Sequence, residues 1–190
     1  MERALEPGTS WLAWYDYNEE PKPVRKLYSV FQRPRNAADL RAEPLAAVSW
    51  TGMGPGDVSP AEGRVFLAGL GREMDTIFAA PFGDDRLAVA VLPNGGGSWG
   101  ARPGPDGLLL MSNQLETGDL VVHGIVADAV ESVDLVVAGV THEAQMGENA
   151  FGLWLEQTHE ADQERLLLQR RDGTTNEIGL TPSPETPPGA

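Results

Sequence analysis

A chain of 190 residues carries 28 acidic against 14 basic side chains, a formal net charge of −14, and no cysteine. The acidity argues against nucleic acid and anionic membrane surfaces as partners, since both are repelled. The absence of thiols excludes disulfides, thiolate zinc sites and thiol catalysis, and a chain of this size buries about 70% of its unfolded surface, enough for a core without metal or cross-link.

The charge is uneven: residues 1–50 hold seven basic and seven acidic side chains, so the whole excess falls on 51–190. The first twenty residues lack a basic stretch followed by an apolar one. No run reaches the roughly 18–20 apolar residues of a membrane span. The expectation is a cytoplasmic chain by default, with the cell envelope as the alternative if it is the soluble part of a longer parent.

WLAWYDYN (11–18) gathers Trp11, Trp14, Tyr15 and Tyr17. Exposed, these four are the candidate binding residues, able to stack on a sugar or grip a protein. The commoner use of large aromatics is burial, which favours a strand or strap docked on the rest of the chain. In PKPVRKLYSVFQRP (21–34), Val24, Leu27, Tyr28 and Phe31 fall at i, i+3, i+4 and i+7, which predicts a helix from about 23 to 33. Pro23 suits its first turn and Pro34 ends it. Asn36, with Asp39 three positions on, predicts an N-cap, and Pro44 predicts that this second helix is short. LAAVSW (45–50) is ambiguous between strand and coil.

From residue 63 the period changes to two. Apolar runs at 64–70, 75–81, 86–92, 107–112, 119–127, 132–139, 141–146, 149–156, 165–171 and 176–180 read as short strands with no helices between them. That pattern disfavours a parallel βαβ sheet. RDGT (171–174) signals a hairpin of type I′. In NAFGLWL, Phe151, Leu153 and Leu155 share an inward face, with Trp154 opposite. PNGGGSWGARPGPDG (93–107) reads as a loop, and TPSPETPPGA (181–190) as a Pro-rich disordered tail.

GGSWG (96–100) matches the G-x-S-x-G elbow, with Ser98 as nucleophile and His142 or His159 as base. The helix that should follow is forbidden by ARPGPDG, so the match reads as a flexible loop. His123, His142 and His159 read as imidazoles on strands rather than metal ligands. GDD (83–85) reads as a solvated turn. No catalytic residue, metal site or cofactor is assigned.

VFQRPRNAADL (30–40), GIVADAVESVDL (124–135) and ENAFGLWL (148–155) resemble pieces of an uncharacterised protein family from high-GC bacteria. Its members carry an Arg-Pro-Arg segment after a helix, a Gly-Leu-Val-Pro-Asp-Gly-Val β-turn before a strand, and later Asp-Asn-Ala-Phe. The resemblance is patchy over roughly 24–179 and its motifs are structural; it implies no activity. Where the family has Pro-Asp-Gly-Val, this chain has Ala127-Asp128-Ala129-Val130. Alanine is disfavoured by about 1 kcal/mol at a positive φ, so a type I turn is expected. The family's cysteines and N-terminal anchor have no counterpart here, which weighs against an envelope location. ADAVES (127–132) is then expected to be the bend of a β-hairpin, with Asp128 and Glu131 in solvent.

Together these readings predict a mainly β protein, an antiparallel sandwich or two packed β subunits with a short N-terminal helical segment. The expected division is an aromatic and helical segment over 1–50, a β domain over 51–180 with any seam between subunits near 93–107, and the tail over 181–190. The function expected is a non-catalytic binding or structural module for a protein or a glycan. The alternatives are a serine hydrolase centred on Ser98 and a carbohydrate-binding domain using Trp11, Trp14 or Trp154.

Overall fold

In the computed structural model, residues 10–13, 22–51, 58–69, 76–92, 96–114, 119–156 and 164–183 are described. Thirteen strands run through them: β1 Ser10–Ala13, β2 Arg64–Leu67, β3 Thr76–Phe82, β4 Arg86–Leu92, β5 Gly96–Ala101, β6 Leu109–Gln114, β7 Leu120–Ile125, β8 Val130–Val137, β9 Val140–Glu143, β10 Gln145–Met146, β11 Ala150–Leu155, β12 Arg165–Arg170 and β13 Thr175–Ser183. They form three antiparallel sheets, ordered β1-β13-β12-β8-β9, β10-β11-β7-β6 and β2-β3-β4-β5. The protein is mainly β, as its alternating pattern predicts.

The alternation also stacks the layers. Leu120 and Val122 of β7, with Phe151 and Leu155 of β11, meet Val133, Leu135, Leu166, Leu168 and Ile178 of the first sheet in one core. From the second sheet, Leu109, Ile125 and Ala150 join Ile77, Ala79, Leu87 and Val89 in another. That core also takes Val24, Tyr28, Val30 and Phe31. Phe78, Ala90 and Leu92, which alternate with the residues of β3 and β4 just named, face a third core with Ala42 and Ala46 of helix α2 (Ala37–Trp50). Two sheets are therefore covered on both faces, and strands such as β7 are buried along their whole length.

The N-terminal helix is shorter than its periodicity suggests. Val24–Leu27 form one α-turn (α1), Tyr28 is extended, and Ser29–Phe31 form a 3-10 turn. The Ser29 N–H, which a continuing helix would give to Arg25, is taken by the Asp128 carboxylate. The Arg25 carbonyl is satisfied by the Gln32 side chain instead. The extended Tyr28 sends its ring into the core and its hydroxyl to the Gly107 carbonyl at 2.6 Å.

Helix α2 departs in the other direction. Asn36 and Asp39 form the predicted capping box, but the helix runs 14 residues and contains Pro44. Residues 45–50, ambiguous in sequence, are helical because Ala42, Ala46 and Trp50 pack on the third sheet. The segment read as a loop over 93–107 contains β5, which pairs with β4, and the change of sheet falls between β5 and β6.

The bend over 127–130 is not a hairpin. Val130 donates to the Ala127 carbonyl at 3.0 Å, so the turn itself is tight, and neither Asp128 nor Ala129 has a positive φ. Yet β7 lies in the second sheet and β8 in the first. The N–H groups of Val126 and Ala127 are bound to Asn149 and Asp106. The turn thus carries the chain between layers.

β12 and β13 do form the hairpin predicted at 171–174, with a different turn. Gly173 alone is left-handed, at φ 86, and it donates to Arg170. This is a type I turn closed by a left-handed glycine, the three-residue solution. The Pro-rich end is also more regular than expected: β13 continues to Ser183 and pairs with β1, Trp11 opposite Pro182. β12 begins with Arg165 opposite Gly179, so among the described residues a proline at 182 interrupts no ladder on that side. Residues 184–190 lie outside the described residues.

Candidate functional site

The deepest polar anchor is Asp39, in the first turn of α2 and fully buried. Its carboxylate accepts from Arg33 Nη1 at 2.6 Å, Arg33 Nη2 at 3.1 Å, the Asn36 N–H at 2.8 Å and the Val65 N–H at 2.7 Å. Burial pushes its pKa up, but the bonds from Arg33, Val65 and Asn36 outweigh burial and hold it below the usual carboxylate value. Arg33 also donates to the Val65 and Pro34 carbonyls and, through Nε, to Glu148 at 2.6 Å. Its fork is fully used, so it positions other groups.

A second anchor is Asp128, on the turn between sheets. Far from standing free in solvent, it is half-buried and accepts from the Ser29 N–H, from Ser29 Oγ at 2.8 Å and from Asn149 Nδ2 at 2.7 Å. Asn149 holds a left-handed backbone at φ 58, a conformation asparagine tolerates. Its side chain also donates to the Val126 carbonyl and accepts from the Val30 N–H. Arg171, just past β12, donates its N–H to Ala129 and its Nε to the Asp128 carbonyl at 2.9 Å. A third anchor lies behind: Asp106, at φ 55, takes a two-pronged grip from Arg170 at 2.7 and 3.0 Å and a bond from Asn176.

Between these anchors opens a cleft of about 590 Å³. Its walls come from four remote stretches of chain: Ser29 to Arg33, Val126 to Glu131, Met146 to Asn149, and Arg171. Buried Val30, Val126 and Val130 close its back. Glu131 and Arg171 are exposed at its rim.

The residues singled out from sequence lie elsewhere. Trp11 is in β1, opposite Pro182; Trp14, Tyr15 and Tyr17 lie outside the described residues. Ser98 sits within β5 opposite Val89, mid-strand rather than on a strand-to-helix elbow. His123 is buried on β7, its Nδ1 without a partner among the described residues, and burial pushes its pKa down to about 4. His142 is on β9 in a different sheet, and His159 lies outside the described residues. Trp154 is half-buried and donates to Asp119 at 3.3 Å. Asp84 and Asp85 form the β3–β4 turn as expected, with the Asp84 carbonyl tied to the Val24 N–H.

Sequence reading missed Arg33, Glu148, Asn149 and Arg171. The available signal was chemical: an Asn followed by a strand, and arginines beside turns. Among the described residues, no group of three His, Asp or Glu side chains could hold a metal ion, and no helix is long and apolar enough to cross a membrane. Comparison with family models, curated proteins and solved structures returns no match.

Proposed function

We propose that the protein is a non-catalytic, β-rich binding module whose ligand occupies the cleft between the 29–33 segment, the 126–131 turn, the 146–149 turn and Arg171. What carries this reading is the cleft itself: about 590 Å³, within the size range of small-molecule sites, with an apolar back and a polar rim. Its walls are tied to one another before any ligand arrives, through Asp128 to Ser29 and Asn149 and through Arg33 to Glu148. Pre-tied walls lower the ordering penalty of binding.

The test is a chemical-shift screen of the whole protein against a library of metabolite-sized compounds. Binders should shift the amide signals of Ser29, Asp128, Glu148, Asn149 and Arg171 together. Shifts gathered elsewhere, or covalent labelling of Ser98 by a serine-directed phosphonate, would overturn the reading.

A further inference from the structure

Two charged groups at the rim keep polar atoms that bond to no described residue. Arg171 spends its backbone N–H and its Nε on the 128–129 turn. Those bonds fix its stem, while Nη1 and Nη2 have no partner among the described residues. The Glu131 carboxylate, next to Val130 on β8, is likewise exposed and bonded to no described residue. The two are not paired with each other, although β8 and the end of β12 are neighbours. The other charges of the lining are committed: Asp128 to Ser29 and Asn149, Arg33 to Asp39 and Glu148.

Resting on the binding reading above, we infer that the cleft's ligand is a small zwitterion with an apolar body, such as an apolar amino acid or a short peptide. Its carboxylate is received by the Nη edge of Arg171 and its ammonium by Glu131. The planar fork of an arginine held by its own Nε matches a carboxylate with two parallel N–H bonds. The ammonium end is favoured by the free Glu131 carboxylate, by the second oxygen of Glu148, and more diffusely by the net charge of −14 that the chain carries. That same field disfavours a phosphate or dicarboxylate at Arg171. The apolar body lies against Val30, Val130 and Met146, of which Met146 is half-buried and adaptable.

The experiment titrates the whole protein by calorimetry with L-leucine, L-methionine and the dipeptide Leu-Leu. Two analogues are run beside them: 4-methylpentanoate, which lacks the amine, and 3-methylbutylamine, which lacks the carboxylate. At least one zwitterion should bind, and each analogue should bind at least about tenfold more weakly. Arg171→Gln should abolish the advantage of the zwitterion over the amine, and Arg171→Lys should restore part of it. Glu131→Gln should abolish the advantage over the carboxylate. Both side chains are exposed. Because the Arg171 variants also lose the Nε bond to the Asp128 carbonyl, their melting midpoints and amide spectra are compared with those of the natural chain, while Glu131→Gln breaks no bond to a described residue. If library compounds shift the cleft signals but none of these zwitterions outbinds its analogues, or phosphate outbinds them, this ligand class is wrong and the cleft remains a binding site. If nothing in the library shifts the cleft signals, both readings fall.

Discussion

Asp39 and His123 are buried polar side chains with opposite accounts. Asp39 is fully buried and accepts four hydrogen bonds, two of them from an arginine that is itself only 20% exposed. Replacing it by alanine leaves Arg33 with only the exposed Glu148 carboxylate as its charge partner and strands two backbone N–H groups. Asp39→Ala should therefore lower the unfolding free energy by about 3 kcal/mol in urea denaturation, as breaking a buried pair from one side does. His123 has no partner for Nδ1 among the described residues, and burial keeps it neutral by depressing its pKa from 6.5 to about 4. Between those two values the unfolded chain binds a proton that the folded chain refuses, so stability falls as pH drops through that window. The full difference corresponds to about 3 kcal/mol. Denaturation midpoints at pH 7 and pH 4.5 should diverge for the natural chain and much less for His123→Leu; an equal divergence in the two would show that other groups govern the acid response. The Asp39 contribution, by contrast, is lost only as pH falls below the ordinary carboxylate range, so the two effects separate.

Helix α2 shows why some elements are legible and others are not. The Asn36–Asp39 capping box is local, lies within four residues, and is readable from the letters alone. The length of the helix is not, because Pro44 should stop it. What overrides the proline is packing: Ala42 and Ala46 sit against the third sheet on one side, while Leu40, Leu45 and Val48 stand 57%, 51% and 73% exposed on the other. A helix apolar on both sides has almost no amphipathic signature, so periodicity could not announce it. The N-terminal turn fails in the converse way, since its pattern is helical but Asp128, a hundred residues away, captures the next N–H. Pro44 lies inside the helix on its exposed side and belongs to none of the buried cores. Pro44→Ala should therefore raise the unfolding free energy by roughly 1–3 kcal/mol, the interior proline penalty less the added freedom of the unfolded chain. A thermal melt followed by the helical dichroism signal checks it, and a lower midpoint would mean that the ring is held by contacts that the exposed face does not reveal.

At the scale of the whole molecule, alternation told which segments are strands but not which sheet each one joins. A period of two fixes faces, and any strand with the right faces can accept any other. ADAVES therefore looked like a hairpin bend, whereas the chain uses it to pass from the middle layer to the outer one, and the cleft exists because of that passage. Its bonds join residues 99 and 119 positions apart, Ser29 to Asp128 and Val30 to Asn149, which no local pattern encodes. The chain as a whole carries a net charge of −14. Self-repulsion of that size destabilises the compact state and is screened once the Debye length falls to about 8 Å at physiological salt. The buried Arg33–Asp39 pair, shielded from ions, is weakened far less. Screening of the repulsion should dominate, and the thermal midpoint should rise by several degrees as sodium chloride goes from 10 mM to 300 mM. About 1 kcal/mol gives a shift of roughly 2–4 °C for a chain of this length. A midpoint that falls with salt would mean that attractive surface pairs, not repulsion, dominate the electrostatics, and the acidic field invoked for the cleft's ammonium end would lose its main support.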